Sequence, residues 1–465
     1  MKYDAFFKWL LCAFMLAFAF PLAASTWTAW TEYPGDPIYN PGKAYYPSVI
    51  FNSNKFNDNS AFYKMWYEGN NEIGLAYSAD GISWTQQATT GLPGIGAHPD
   101  VLYDANGFGG GTYTYKMWYW DPTAPLNSIS SIQYSASTDG VNWITPISIS
   151  QDSGSPLVTG VSPGYFYHLY GPGFLIYNAS ATSTSGQPLT FPYVMYFDTS
   201  TEGDGPETSV EQTGLAYSSD GLLWTRYGSQ PVIIPSGNIN EWDGRYIYQS
   251  SVIKVQDTYH MFYSGSNGQP IGSDGNATAH GIGHASSTDG INWILDSDNP
   301  IFYISETVPV PWRNNRTYTP AVIFDAFCDA GSCNLCFAKM WFTGANSSDI
   351  RAIGYATLPC PPMPAPLPPS HFRGVLKKHD TSSSSSSSCR TEYFLHAKWH
   401  ASPSTDVILY RIYEHNKVVK QIAATSPLIF RTSLHSRHAA KKYSIVSVNS
   451  HEIESSHVKL EVIEK

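Results

Sequence analysis

The motif Asp-Gly-x-x-Trp occurs four times in this chain, as Asp80-Gly-Ile-Ser-Trp84, Asp139-Gly-Val-Asn-Trp143, Asp220-Gly-Leu-Leu-Trp224 and Asp289-Gly-Ile-Asn-Trp293. An internal repeat constrains a chain more than any single residue does, because each unit leaves a face that only the next unit covers. Asp-Gly is a hairpin-turn signal, so each motif joins one strand to the next. The Asp takes the turn position and the Trp packs between neighbouring units. A residue present in every unit serves the architecture.

Three further phrases recur in a fixed order before the Asp-Gly-x-x-Trp motif. The first is Tyr46-Pro-Ser-Val-Ile50, His98-Pro-Asp-Val-Leu102, Gly171-Pro-Gly-Phe-Leu175, Gln249-Ser-Ser-Val-Ile253 and Thr319-Pro-Ala-Val-Ile323. The second is Tyr63-Lys-Met-Trp-Tyr67 with copies beginning at Tyr115, Tyr193, Tyr259 and Ala338. The third begins at Ile73, Ile132, Thr213, Ile282 and Ile353. Each has the length and the aromatic or β-branched content of a strand. Four strands per unit and five units predict an all-β chain whose residues 26–358 form a five-bladed β-propeller. The fifth unit lacks its Asp-Gly-x-x-Trp. The segment Trp27-Thr-Ala-Trp30-Thr-Glu-Tyr33 resembles Trp84-Thr85 and Trp224-Thr225, so residues 25–34 are expected to supply the missing outer strand.

Aromatic residues at 15% and charged residues at only 14% fit strands and turns. Residues 25–365 hold 11 Lys+Arg against 28 Asp+Glu, a balance of −17, whereas residues 366–465 hold 14 against 8, a balance of +6. The acidic part repels a phosphate backbone, so nucleic acid is not an expected partner. Lys2, Lys8, the apolar run Leu10 to Phe20 and the small residues Ala23-Ala24-Ser25 read as a signal peptide over residues 1–25. No other stretch suits a membrane span, so a secreted, extracellular or periplasmic protein is expected. In such a compartment Cys328, Cys333, Cys336, Cys360 and Cys389 read as disulfide-forming. No second ligand pair follows at zinc spacing.

A Pro-rich and Ser-rich linker is expected over 359–390. Residues 391–465 alternate apolar and polar in short runs, as a β-sandwich does. Within it Trp399-His-Ala-Ser-Pro-Ser-Thr-Asp-Val407, Tyr410-Arg-Ile-Tyr413 and Tyr443-Ser-Ile-Val446 resemble a fibronectin type III module, of the immunoglobulin-like kind. That resemblance implies a spacer or an adhesion unit, with association at a cell surface.

In a propeller the starts of the innermost strands and the ends of the second strands surround the axial mouth. Around that mouth the units differ, whereas their outer parts agree. The carboxylates Glu68, Asp100, Asp198 and Asp243 are the candidate catalytic groups. Tyr46, His98, Trp120, Tyr170, Trp242, Arg245, Tyr248 and Trp312 are the candidate binding groups. Aromatic rings stack on the C–H faces of sugars, and glycoside hydrolysis needs two carboxyl groups across the bond. No cofactor or metal is called for, and a structural calcium is not indicated, because the acidic spacing of an EF-hand loop is absent.

The phrase Ala97-His98-Pro99-Asp100-Val101 resembles the second inner strand of the five-bladed glycoside hydrolases, and the likeness runs through residues 26–358. That superfamily includes the arabinanases and β-xylosidases of glycoside hydrolase family 43 and the family 32-like invertases and levansucrases. The resemblance implies that Asp100 tunes an acid and orients substrate. The family's base Asp falls at Tyr46 and its acid Glu at Tyr170. Two readings follow. One is a glycosidase that uses Glu68 or Asp198 as acid and Asp243 as base, with Arg245 holding a hydroxyl or carboxylate. The other is a degenerate propeller that binds glycans, a surface or a protein without cleavage.

Overall fold

The computed structural model describes residues 27–70, 72–92, 96–161, 164–181, 187–201, 210–255, 257–268, 280–304, 310–325, 337–359, 366–381, 390–404, 407–449 and 454–463. The expected signal peptide, all cysteines and the Ser382 to Ser388 run lie outside them. The described chain is nearly all strand, with one short α-helix at Gly107–Gly110 and a few 3-10 turns. It divides into two compact bodies, one formed by residues up to Phe324 with Ala338–Leu358, the other by residues from Pro359 onward. Among the described residues no helix is long and apolar enough to cross a membrane.

In the first body the strands follow the repeated phrases. Tyr45–Phe51, Tyr63–Glu68, Ile73–Ser78 and Trp84–Gln87 form one antiparallel sheet in chain order. Ala97–Tyr103, Tyr115–Trp120, Ile132–Ser137 and Ile147–Ser148 form the next. His168–Tyr177, Tyr193–Ser200, Glu211–Ser218 and Leu223–Arg226 pair in the same way. So do Tyr246–Val255, Thr258–Ser266, His280–Ser287 and Ile294–Leu295. These last two sets are joined by the parallel pair Glu211 and Tyr246. In the remaining sheet Arg316–Asp325, Phe337–Ala345 and Arg351–Pro359 are completed by Thr31–Glu32, so the start of the described chain pairs with its last repeat.

The Asp-Gly-x-x-Trp turns are held by local bonds. Asp80 Oδ1 accepts from the Ile82 and Ser83 N–H groups at 2.8 and 2.7 Å. Ser78 Oγ accepts from the Asp80 and Gly81 N–H groups and donates to Asp80 Oδ1. The same set recurs around Asp139, Asp220 and Asp289. Burial pulls the Asp139 and Asp289 carboxyls up, but the backbone donors outweigh it and hold both at about 2. These oxygens belong to the turn rather than to a cation.

The Gly of each turn meets the preceding repeat. Gly81 and Gly221 have φ of +79° and +81°. A Cβ on Gly81 would stand 2.9 Å from the Trp341 ring, and one on Gly221 2.7 Å from Trp118. Both carbonyls accept those indoles, Trp341 Nε1 at 2.7 Å and Trp118 Nε1 at 2.8 Å. The Trp of the motif packs edge-on against the same incoming ring, Trp84 on Trp341 and Trp224 on Trp118.

The second body has two four-stranded sheets. One runs Ile429–Leu434, Arg390–His400, Ser370–Thr381, Glu461–Ile463; the other runs Lys417–Ala423, Val407–Glu414, Tyr443–Asn449, Val458–Lys459. Trp399, Tyr410, Phe372, Leu395, Ile412 and Ile445 share one core. Strand Ser370–Thr381 falls inside the stretch read as linker. Its outward Arg373, Lys377 and Lys378 interrupt the apolar run, but Phe372 is fully buried.

The N-terminal segment is anchored by more than its two paired residues. Trp27 and Trp30 are buried in a cluster with Phe262, Ile282, Met340 and Phe342. Glu32 receives both Nε and Nη2 of the buried Arg313. Removing residues 25–34 therefore opens two Trp-sized voids and leaves a buried guanidinium without its carboxylate. The expected loss is about 5 kcal/mol or more. Thermal denaturation of the truncated chain checks this; an unchanged midpoint contradicts it.

Candidate functional site

Each inner strand carries the same backbone irregularity at the first residue of its phrase. Tyr46, His98, Gln249 and Thr319 have φ of +51°, +47°, +43° and +51°, and Gly171 has +121°. The pairing register shifts at Tyr45/Ser48, Ala97/Asp100, Leu169/Gly171 and Tyr248/Ser250. A non-glycine residue in this region costs about 1–3 kcal/mol and persists only where surrounding structure fixes it.

The fixing group is a side chain at the end of the second strand of the preceding repeat. Glu68 Oε2 accepts the His98 N–H at 3.3 Å. Asp198 accepts the Gln249 N–H at 3.0 and 3.1 Å. Ser264 Oγ accepts that of Thr319 at 2.7 Å, and Thr343 Oγ1 that of Tyr46 at 3.1 Å. The equivalent residue before Gly171 is Trp120, which offers no acceptor; a Cβ on Gly171 would lie 2.8 Å from Trp120 Cβ. The bond from Tyr46 back to Thr343 closes the cycle of repeats. A second tier runs deeper, with Ser48 Oγ accepting the Val101 N–H, Asp100 Oδ2 that of Leu175 and Ser251 Oγ that of Val322.

These inner ends enclose a cavity of about 310 Å³. Tyr46, Trp120, Tyr170, Tyr246 and Tyr248 supply rings; Asp198, Glu211, Arg316, His98, His280 and Ser266 supply polar groups. His98 is stacked on Tyr46 at 3.7 Å between ring centres and tilted against Trp120 at 4.9 Å. Its Nδ1 lies 3.1 Å from both the Tyr170 carbonyl oxygen and Gln249 Nε2. Burial drives its pKa down to about 3, so the ring is neutral.

The two carboxyl groups of the cavity sit on adjacent strands. Asp198 pairs directly with Thr213, and Glu211 pairs with Ser200, so Asp198 and Glu211 are diagonal neighbours on one face. Such positions lie about 7 Å apart. Burial raises Asp198 to about 8, against the Gln249 N–H and with help from the Glu211 charge. Burial raises Glu211 to about 7, while Arg316 favours its ionised form. Burial thus holds both carboxyls well above the ordinary carboxylate range, so each can carry a proton near neutral pH, as a buried general acid does.

Of the residues singled out from sequence, Tyr46, His98, Trp120, Tyr170, Asp198 and Tyr248 line this cavity. Glu68 lies beneath it, bonded to the His98 backbone, and burial raises its carboxyl to about 7. Asp100 is not on the lining. It joins three inner strands, accepting from Ser48 Oγ at 3.1 Å and from the Leu175 N–H, and burial raises it to about 7. Asp243 accepts from Tyr263 OH at 3.0 Å, and Trp242 stacks on the same Tyr263 ring. Arg245 lies over Tyr246, and Trp312 packs on Phe342. The structure thus brings together six of the twelve and sets the other six outside the lining.

Sequence reasoning missed Glu211, Tyr246, Ser266, His280 and Arg316. Glu211, Tyr246, His280 and Arg316 sit at or near the upstream ends of strands that begin two or three residues before the repeated phrases. Extending each phrase toward its N-terminal side is the signal that would have found them. Among the described residues no cluster of three or more His, Cys, Asp or Glu suits a metal ion.

No protein-family model matches the chain, and no curated protein matches it. Solved structures similar to it include a glycoside hydrolase at 18% identity and TM-score 0.45, covering 70% of this chain and 93% of that one. A thermostable family-43 glycoside hydrolase has 16% identity and TM-score 0.44, covering 68% and 90%. An α-L-arabinanase of Cellvibrio cellulosa complexed with arabinohexaose has 10% identity and TM-score 0.39, covering 67% and 91%. At this level they assign no substrate, residue role or mechanism to this chain.

The buried carboxyls set a pH dependence of stability. Asp36 and Asp198 are raised to about 8, and Glu68, Asp100 and Glu211 to about 7. Their contribution is complete below the unfolded-chain pKa near 4 and is lost as pH rises through 7–8, because the native state then binds more protons than the unfolded one. His98, His260 and His284 are lowered and act oppositely, with their contribution complete above 6.5. Above about pH 6.5 the carboxyls alone among these remain, so the melting midpoint is expected to fall from about pH 6.5 to about pH 8.5. Asp198→Asn is expected to fall less. A midpoint that rises across this window, or an Asp198→Asn slope equal to the parent's, contradicts the assignment.

Proposed function

We propose that residues 26–358 form an exported five-bladed β-propeller and that its inner cavity binds and hydrolyses a glycan. The single observation that carries this reading is a carboxyl pair inside an aromatic-walled cavity. Tyr46, Trp120, Tyr170, Tyr246 and Tyr248 offer rings, and Asp198 and Glu211 face the same space from neighbouring strands. Sugar C–H faces stack on such rings, and glycosidases act with two carboxyl groups about the scissile bond.

In this reading protonated Asp198 gives its proton to the glycosidic oxygen as the bond to the leaving sugar breaks. Glu211 takes a proton from the attacking water, whose oxygen forms the new bond to the anomeric carbon. Residues 391–465, joined through the strand Ser370–Thr381, would act as a fibronectin type III-like module that presents the propeller at a surface.

A second reading, binding without cleavage, is favoured by one observation. Asp198 occupies the same place as Ser264 and Thr343, and both its oxygens already accept from Gln249, including Nε2 at 2.7 Å. A polysaccharide panel scored for both binding and release of reducing ends separates the two. Under the first reading Asp198→Asn lowers release by about 10²–10⁴ while retaining binding. Trp120→Ala is expected to weaken binding about tenfold under either reading. Binding with no release by the parent chain selects the second. Neither signal from any glycan in the panel overturns both.

A further inference from the structure

We infer that the ligand of this cavity carries a carboxylate, as a uronic-acid glycan does, and that Arg316 is the residue that recognises it. The inference rests on the glycan reading above and adds the substrate class.

Arg316 opens the strand Arg316–Asp325, lines the cavity and is half-buried. Among the described residues its guanidinium makes neither an ion pair nor a side-chain hydrogen bond. Asp349, whose charge Arg316 also feels, is already held by Arg351 through two bonds of 3.0 Å. Tyr248 and Tyr318 face Arg316 as neutral phenols, since burial holds both hydroxyls above their ordinary range. The remaining acids are the cavity's own, Asp198 and Glu211. A partly desolvated guanidinium that makes no ion-paired hydrogen bond is costly, and its planar fork matches a carboxylate through two parallel N–H···O bonds. A sugar hydroxyl accepts one such bond but leaves the charge uncompensated.

The neighbours make the preference depend on pH. Below about pH 6 Asp198 and Glu211 hold their protons and His98 is neutral, so Arg316 leaves the cavity net positive. A protonated His280 on the same wall would act in the same direction. Above about pH 8 both carboxyls ionise, Glu211 competes for Arg316, and the cavity repels an anion. A uronate ligand is therefore expected to bind with proton uptake.

The test uses the full chain and isothermal titration. Oligogalacturonides and glucuronan oligosaccharides are each compared with their carboxyl-reduced counterparts at about pH 5.5 and about pH 8.5. At the lower pH the uronates are expected to bind about tenfold tighter than the reduced sugars, and the preference should shrink by a similar factor at the higher pH. Arg316→Gln should abolish the preference while leaving the reduced sugars bound. Arg316→Lys should restore part of it, and Glu211→Gln should preserve it at the higher pH. Equal binding of acidic and reduced sugars, or an unchanged preference in Arg316→Gln, overturns the inference but leaves the glycan reading standing. Failure of every oligosaccharide to bind overturns the inference and removes uronates from the glycan reading.

Discussion

A backbone N–H that turns out of its ladder inside a protein must find another acceptor, or the segment does not hold its turn. That requirement governs the inner ends of the repeats. At Tyr46, His98, Gln249 and Thr319 the chain adopts positive φ, and in each case a side chain from the preceding repeat accepts the displaced N–H. A bond to a charged acceptor contributes about 1.5–3 kcal/mol, and a neutral one about 1 kcal/mol. Both are comparable with the cost of the conformation. The strained residue and its acceptor lie in different repeats, so the bonds couple neighbours. Since Thr343 reaches Tyr46, the coupling closes on itself.

The same bonds decide what the cavity contains. The irregularity brings Tyr46 and His98 onto the lining, stacked on each other. It also draws acceptors inward, and one of them is a carboxylate that water does not solvate. Asp198 is thus both a fastening and a buried acid with a raised pKa. Glu68 fills the same post two repeats earlier in the cycle but lies off the lining. Fastening needs only an acceptor, so Ser264 and Thr343 serve equally well. A carboxylate at Asp198, next to Glu211 and Arg316, is more than fastening requires, and this surplus is the ground for placing chemistry there.

Much of the architecture could be read from the chain because its signals are local. Asp80 bonds to residues two and three ahead of it, and Ser78 to residues two and three ahead of itself; such contacts recur with the same letters in every copy. The terminal segment was legible because Trp27 and Trp30 repeat the outer-strand pattern and bury accordingly. The fastening bonds were not legible. Their acceptors are Glu, Asp, Ser and Thr in different repeats, so a single task is written in four letters. Asp100 drew notice through its phrase, yet it shares its task with Ser48 and Ser251. Glu211 and Arg316 escaped because they stand just upstream of the repeated phrases, where the copies no longer agree. Strand Ser370–Thr381 escaped because its outward charges broke the apolar alternation.

A glycan is expected to sit in the cavity bounded by Trp120, Asp198, Glu211 and Arg316. A crystal structure of the chain with the tightest-binding oligosaccharide tests it most directly. The account predicts a sugar ring against Trp120 or Tyr248, within hydrogen-bonding reach of Asp198 or Glu211. An oligosaccharide bound elsewhere, with the cavity left to solvent, would contradict it.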